Sequence, residues 1–155
     1  MKKASIALLG GALLVTLAGT VQAQQALDHV TCRAGTVTVL AKDKDMIIWS
    51  LDHRGVNYSS DPSYPFNGST QRCIGVVANI GGKPSGNGWC RTVDAKSGDW
   101  NIADWQVGDK PGHGTWHFRY GTGGGTFEPV APTKSVDPGT YQNCTHIKGT
   151  VKLQG

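Results

Sequence analysis

The chain has 155 residues, enough for one domain with a true core, and a formal net charge of +4. Basic residues fall singly from Arg33 to Lys152, with no charge run, so no nucleic-acid partner is expected. With 22 Gly, 7 Pro and Asp at nearly every acidic position, the composition is one of turns and strands, poor in helix formers.

Residues 1–23 read as a secretory signal peptide of bacterial proportions. Lys2 and Lys3 form a positive head, Ile6 to Leu17 is an apolar run, and Val21-Gln22-Ala23 offers small residues where a signal peptidase cuts. Cleavage after Ala23 lowers the charge to +2. The apolar run is short for a membrane span and no second one follows. The expectation is a secreted or periplasmic protein with no membrane contact after cleavage, and residues 24–155 as a single domain.

Gln24 to Val30 reads as a loose leader. Thr31 to Leu40 alternates and is rich in Thr and Val, as a strand should be. Lys42 to Asp45 is a polar turn, and Met46 to Leu51 the return strand. Arg54 to Gln71 is the longest irregular stretch, with Pro62, Pro65, Gly55 and Gly68. Its Tyr58, Tyr64 and Phe66 argue for a packed loop over one end of the domain. Arg72 to Ile80 is a strand, Gly81 to Gly88 a turn, and Trp89 to Ala95 a return. Lys96 to Asp99 turns again before the strand Trp100 to Val107.

After a turn at Gly108 to Gly112, Gly114 to Tyr120 alternates cleanly. Trp116, Phe118 and Tyr120 share one face; Thr115, His117 and Arg119 share the other. Thr126 to Val130 is a short strand, Ala131 to Gly139 a Pro-bearing loop, and His146 to Leu153 the last strand. About eight short strands separated by regular turns fit a sandwich or a barrel, with no helical stretch. The fold class expected is all-β, a small antiparallel up-and-down barrel held by two disulfides.

Cys32, Cys73, Cys90 and Cys144 make an even set in an exported chain, and no pair has C-x-x-C spacing. Disulfides are therefore expected, and no metal or cofactor. Counting strands in a meander places Cys32 and Cys73 at the start of strands one and three. Cys90 and Cys144 then begin strands four and eight. That parity predicts Cys32–Cys73 and Cys90–Cys144, because Cys73 and Cys90 would lie at opposite ends.

The segment Gly112-His-Gly-Thr-Trp-His-Phe-Arg-Tyr-Gly-Thr-Gly-Gly-Gly-Thr-Phe-Glu128 resembles a stretch of small secreted bacterial barrels of unknown function. Cys73-Ile-Gly, Gly88-Trp-Cys90, Asp94-Ala-Lys-Ser-Gly-Asp99 and Pro138-Gly-Thr-Tyr-Gln-Asn-Cys144 resemble the same set. Those proteins look like the lipocalin-like barrel of allene oxide cyclase and dirigent proteins. The resemblance implies an eight-stranded barrel and supplies a fold more than an activity. Gly121 to Thr126 departs from the pattern, as if a segment were deleted, which implies a shortened or rerouted hairpin. No cyclase motif is matched.

Other constellations have plain explanations. His113 and His117 share a strand face but stand roughly 13 Å apart, too far for one metal. Asp94 and Asp99 flank a turn in which Gly98 takes positive φ. Asp52-His53-Arg54 holds acid–base groups without a nucleophile tied to them. Of the five Trp, Trp116 reads as core, and Trp100 and Trp105 have opposite strand parity, so at most one faces inward. Asn57, Asn67 and Asn143 head accidental glycosylation triplets.

The function expected is non-enzymatic binding of a small molecule or an extracellular protein. The site expected is a barrel mouth framed by Arg54–Gln71, with Trp49, Tyr58, Tyr64 and Phe66 as contacts. The alternatives are a cyclase or isomerase in the same barrel, requiring inward polar groups, and a secreted inhibitor or interaction protein using exposed Trp.

Overall fold

The structure is a computed structural model that describes residues 24–131 and 139–153. The leader at 1–23 and most of the loop expected at Ala131–Gly139 lie outside the described residues. Eight strands follow in chain order: β1 (Gln25–Asp43), β2 (Met46–Tyr58), β3 (Thr70–Ile80), β4 (Lys83–Val93), β5 (Trp100–Val107), β6 (Gly114–Phe118), β7 (Gly121–Pro129) and β8 (Gly139–Leu153). Each pairs antiparallel with the next, and β8 returns to β1, so the sheet closes into a barrel without edges.

Following one rung of cross-strand partners measures how the barrel closes. Val37 faces Leu51, then Gly75, Gly88, Trp105, Trp116, Gly125 and Gly149 in turn. Gly149 pairs with Leu27, so the circuit meets β1 again ten residues from its start. A stagger of this size in eight strands sets a tilt of about 35–45° and leaves an interior that side chains fill or that holds one small ligand.

That rung also explains the glycines. Trp105 and Trp116 project inward from neighbouring strands, and their rings lie over the backbones of Gly75, Gly88 and Gly149. A Cβ on Gly149 would stand 2.6 Å from Trp116 Cζ2, and one on Gly75 would stand 2.7 Å from Trp105 Cη2. The glycine-rich stretch at 121–126, read as a hairpin interruption, is strand β7. It pairs with β6, the shortest strand, across a tight turn at Arg119 and Tyr120. The strand therefore ends before Tyr120, which leaves that side chain exposed and apart from buried Trp116.

Several boundaries differ from the sequence expectation. The stretch Gln24 to Val30, expected as a loose lead-in, belongs to β1 from Gln25 onward, where it pairs with β8. Of the expected Gly81–Gly88 turn only Gly81 and Gly82 remain, at φ 58° and 77°, the double positive φ of a two-residue hairpin. Short apolar and Gly/Pro-rich runs became strand because neighbours on both sides supply hydrogen-bond partners.

The disulfides are Cys32–Cys144 and Cys73–Cys90, each with Cα atoms 4.0 Å apart. The expected Cys32–Cys73 and Cys90–Cys144 pairing is thereby overturned. Cys73 and Cys90 do not begin their strands at opposite ends; they are equidistant from the Gly81–Gly82 turn and face each other. Cys32–Cys144 joins β1 to β8 on the outer face and clamps the seam between first and last strands. Cys73–Cys90 points inward.

One end of the barrel is filled. Leu27, Tyr64, Trp116 and Val151 form its buried cluster, with Phe66, Phe118, Phe127 and Ile147 packed against it. The expected Arg54–Gln71 loop is shorter, running from Ser59 to Ser69, because β2 continues to Tyr58. Its turn is built locally: Asp61 Oδ1 accepts from Ser63 N at 2.8 Å, and Tyr64 N donates to Asp61 O. This geometry drives Tyr64 and Phe66 into the barrel. The loop therefore plugs this end.

Candidate functional site

Above the plug, inward-facing side chains enclose a cavity of about 530 Å3. It extends from Leu27, Phe66 and Phe118 to the opposite rim at Ile47, Asn79, Pro84 and Pro111. The Ser59–Ser69 loop, expected to frame a mouth, instead fills its end with Tyr64 and Phe66, and the cavity runs from there toward the end carrying the β1–β2 and β3–β4 turns. Trp49, Trp105, Trp116 and Phe127 supply aromatic walls.

The polar groups gather on one side. Strand alternation brings Arg33, Gln71, Thr92 and Asn143 to adjoining inward positions. Arg33 Nε donates to Gln71 Oε1 at 2.9 Å, and its Nη1 donates to Thr145 Oγ1. Gln71 Nε2 donates to Thr92 Oγ1 at 3.2 Å. Deeper in, Thr31 Oγ1 donates to Asn57 Oδ1 at 2.8 Å. Three buried polar atoms of residues lining the cavity, Asp104 Oδ1, Trp105 Nε1 and Asn143 Oδ1, have no hydrogen-bond partner among the described residues. Such atoms are costly to bury unpaired, at about 1–3 kcal/mol each, and a ligand with a matching acceptor and donor removes that cost.

Two imidazoles face the same interior. His29 is 7 % and His53 8 % exposed. Burial pushes His53 down to about 3, with the Arg33 charge adding to the effect and the Asp52 carboxylate opposing it. Burial and Arg33 likewise push His29 down to about 4, against Asp28. Both are neutral at physiological pH. His29 Nδ1 is hydrogen-bonded to the Tyr64 hydroxyl at 2.8 Å, which ties the plug to β1. Burial raises the Tyr64 phenol well above its ordinary value, so it stays a neutral hydroxyl.

The four ligand-contact candidates separate. Trp49 and Phe66 line the cavity. Tyr64 is buried in the plug beneath it. Tyr58 is 54 % exposed on the outer face, because one step along β2 from inward Asn57 reverses the side chain. The same alternation splits Asp52-His53-Arg54: His53 points in, while Asp52 and Arg54 point out, and Asp52 pairs with Arg72 at 2.6 Å. Asp94 Oδ1 caps the 94–99 turn by accepting from Lys96 N and Ser97 N, with Gly98 at φ 76°. His113 lies in the β5–β6 turn and His117 on the outer face of β6. Among the described residues no three His, Cys, Asp or Glu side chains are grouped to hold a metal ion.

The inward Arg33 and Gln71 were not singled out from the sequence; Asn143 entered only as the head of a glycosylation triplet and Trp105 only through its parity against Trp100. The alternation of β1, β3, β5 and β8 carries their facing, but only the register places them around one space. Comparison with protein-family models, curated proteins and solved structures finds no match.

Proposed function

We propose that the protein is an exported carrier that holds one small, largely aromatic or apolar molecule with a polar head in its barrel lumen. The observation that carries this reading is the one-sided polarity of the 530 Å3 cavity: aromatic walls, and the Arg33, Gln71 and Asn143 group on one flank. The volume falls within the usual range of about 300–1,000 Å3 for small-ligand sites. Two disulfides and the signal-like leader support the exported part of the reading. So does the resemblance to small secreted bacterial barrels.

A cyclase or isomerase in the same lumen is the rival, favoured by the buried His29 and His53. Their depressed basicity weighs against it. A general base works best with a pKa near the operating pH, and values of about 3 and about 4 leave weak proton acceptors. Neutral imidazoles in an aromatic chamber suit hydrogen bonding to a ligand better than proton abstraction.

The test is titration with 1-anilinonaphthalene-8-sulfonate, an aromatic molecule with an anionic head, followed by tryptophan emission and native mass spectrometry. The expected result is saturable one-to-one binding, weakened about five- to tenfold in Asn143→Leu with the fold intact by circular dichroism. Absence of saturable binding, or equal affinity in the variant, overturns the lumen site.

A further inference from the structure

Outside the lumen, the sheet carries an arrangement that folding alone does not call for. Arg54, Arg72 and Arg91 face one another directly across β2, β3 and β4. Like charges directly opposite one another across strands are destabilising. Only Arg72 is neutralised, by Asp52. Arg54 and Arg91 have no ion-pair partner within 4.0 Å among the described residues. Singly spaced in sequence, these arginines become a row because the register aligns them.

Exposed aromatic groups border the row. Trp89 lies two residues before Arg91 on the same face, paired with exposed Ile74, and is 51 % exposed. On the other side, Arg91 sits 5.4 Å from the Trp100 ring centre, and Trp100 meets Tyr120 edge-on at 5.7 Å. One depression of about 1450 Å3 takes in all three arginines, Trp89 and Tyr120, and its lining also reaches Arg33, Gln71 and Asn143. Asp52 and Asp104 flank the row, Asp104 paired with Arg119 at 2.7 Å.

We propose that this outer face binds an acidic polysaccharide, a sugar chain bearing carboxylate or sulfate groups. Neighbouring strands space the backbones that carry the three arginines about 4.8 Å apart, so their side chains leave the sheet from one row and can reach a run of spaced anions. Guanidinium is the side chain best shaped to grip a carboxylate or sulfate by paired N–H donors. Trp89 offers a flat apolar surface to the C–H face of a sugar ring. Single-stranded nucleic acid needs successive free aromatic faces, and here Trp100 is occupied by Arg91 and Tyr120. A net charge of only +4 also makes a weak field for a polyphosphate.

The experiment is isothermal titration of the whole protein at low salt with four probes: a heparin fragment, a polygalacturonate oligomer, neutral dextran and a single-stranded oligonucleotide matched in charge. Binding of heparin, polygalacturonate or both is expected, weakening as salt rises. Which of them binds identifies sulfate or carboxylate as the anion. Dextran is expected not to bind. Arg54→Gln with Arg91→Gln is expected to lower affinity about tenfold or more, and Trp89→Ala about threefold. Lumen binding of the anilinonaphthalene probe serves as the folding control and is expected to stay unchanged. The proposal is overturned if no acidic sugar binds. It is equally overturned if the oligonucleotide binds as tightly, or if the double variant binds like the parent.

Discussion

Acidification tests the lumen most sharply, because burial separates the folded and unfolded protonation of its two imidazoles widely. In the unfolded chain His29 and His53 take up a proton near 6.5; in the fold they do so only at about 4 and about 3. The unfolded state therefore binds more protons below 6.5, and stability falls as pH falls. The contribution is fully present above 6.5 and is lost on descending toward the folded values. Between about pH 7.5 and pH 5 each imidazole removes about 2 kcal/mol, so the pair removes about 4 kcal/mol. Asp28, Asp52, Asp61 and Asp94 are held below their ordinary 3.8 and remain charged across this window. Urea unfolding with the disulfides intact, followed at several pH values, measures the slope. His53→Gln is expected to remove about half of it, whatever its effect on stability at neutral pH. An unfolding midpoint that stays constant to pH 5, or a His53 imidazole titrating near 6.5 by NMR, would refute this account of the lumen.

Two other perturbations probe the register and the seam. Gly75→Ala pushes a methyl group against both the Trp105 ring and the Asn87 carbonyl oxygen and is expected to cost about 1–3 kcal/mol in urea unfolding, only the ring's share of which Trp105→Leu can relieve. In Trp105→Leu background the same change should cost measurably less, and strictly additive effects would count against the ring's placement. Non-reducing peptide maps should recover Cys32 joined to Cys144 and Cys73 joined to Cys90. The two bridges span 112 and 17 residues, so by loop closure alone they contribute about 5 and about 3 kcal/mol. Unfolding of Cys32→Ala/Cys144→Ala checks the larger figure, and a loss below about 1 kcal/mol would show that the seam holds without its clamp.

Much of the architecture was legible along the chain. Alternation at Thr31–Leu40 and Gly114–Tyr120 marked strands, the second ending two residues early at Phe118, and Gly98 and Gly81 marked turns, because each signal is local: side-chain period and positive φ act within a few residues. The opposite parity of Trp100 and Trp105 was equally local, and Trp105 faces the lumen while Trp100 is exposed. Trp49 and Phe66 were among the candidates that line the cavity. The glycines at 121–126 misled, since an isolated run without side chains has no period to read. They are strand because β6 and β8 hydrogen-bond to both their sides.

The sequence by itself determined an all-β chain with inward and outward faces along each strand, and cysteines in an even number. Tertiary structure alone decided which residues meet. A cross-strand register is a relation between distant segments, fixed by closing eight strands with a ten-residue stagger. It turned the cysteine pairing away from the parity count. It turned the long loop into a plug, with Tyr64 and Phe66 packed into the barrel end. It also gathered Arg33, Gln71 and Asn143 inside while lining up Arg54, Arg72 and Arg91 outside.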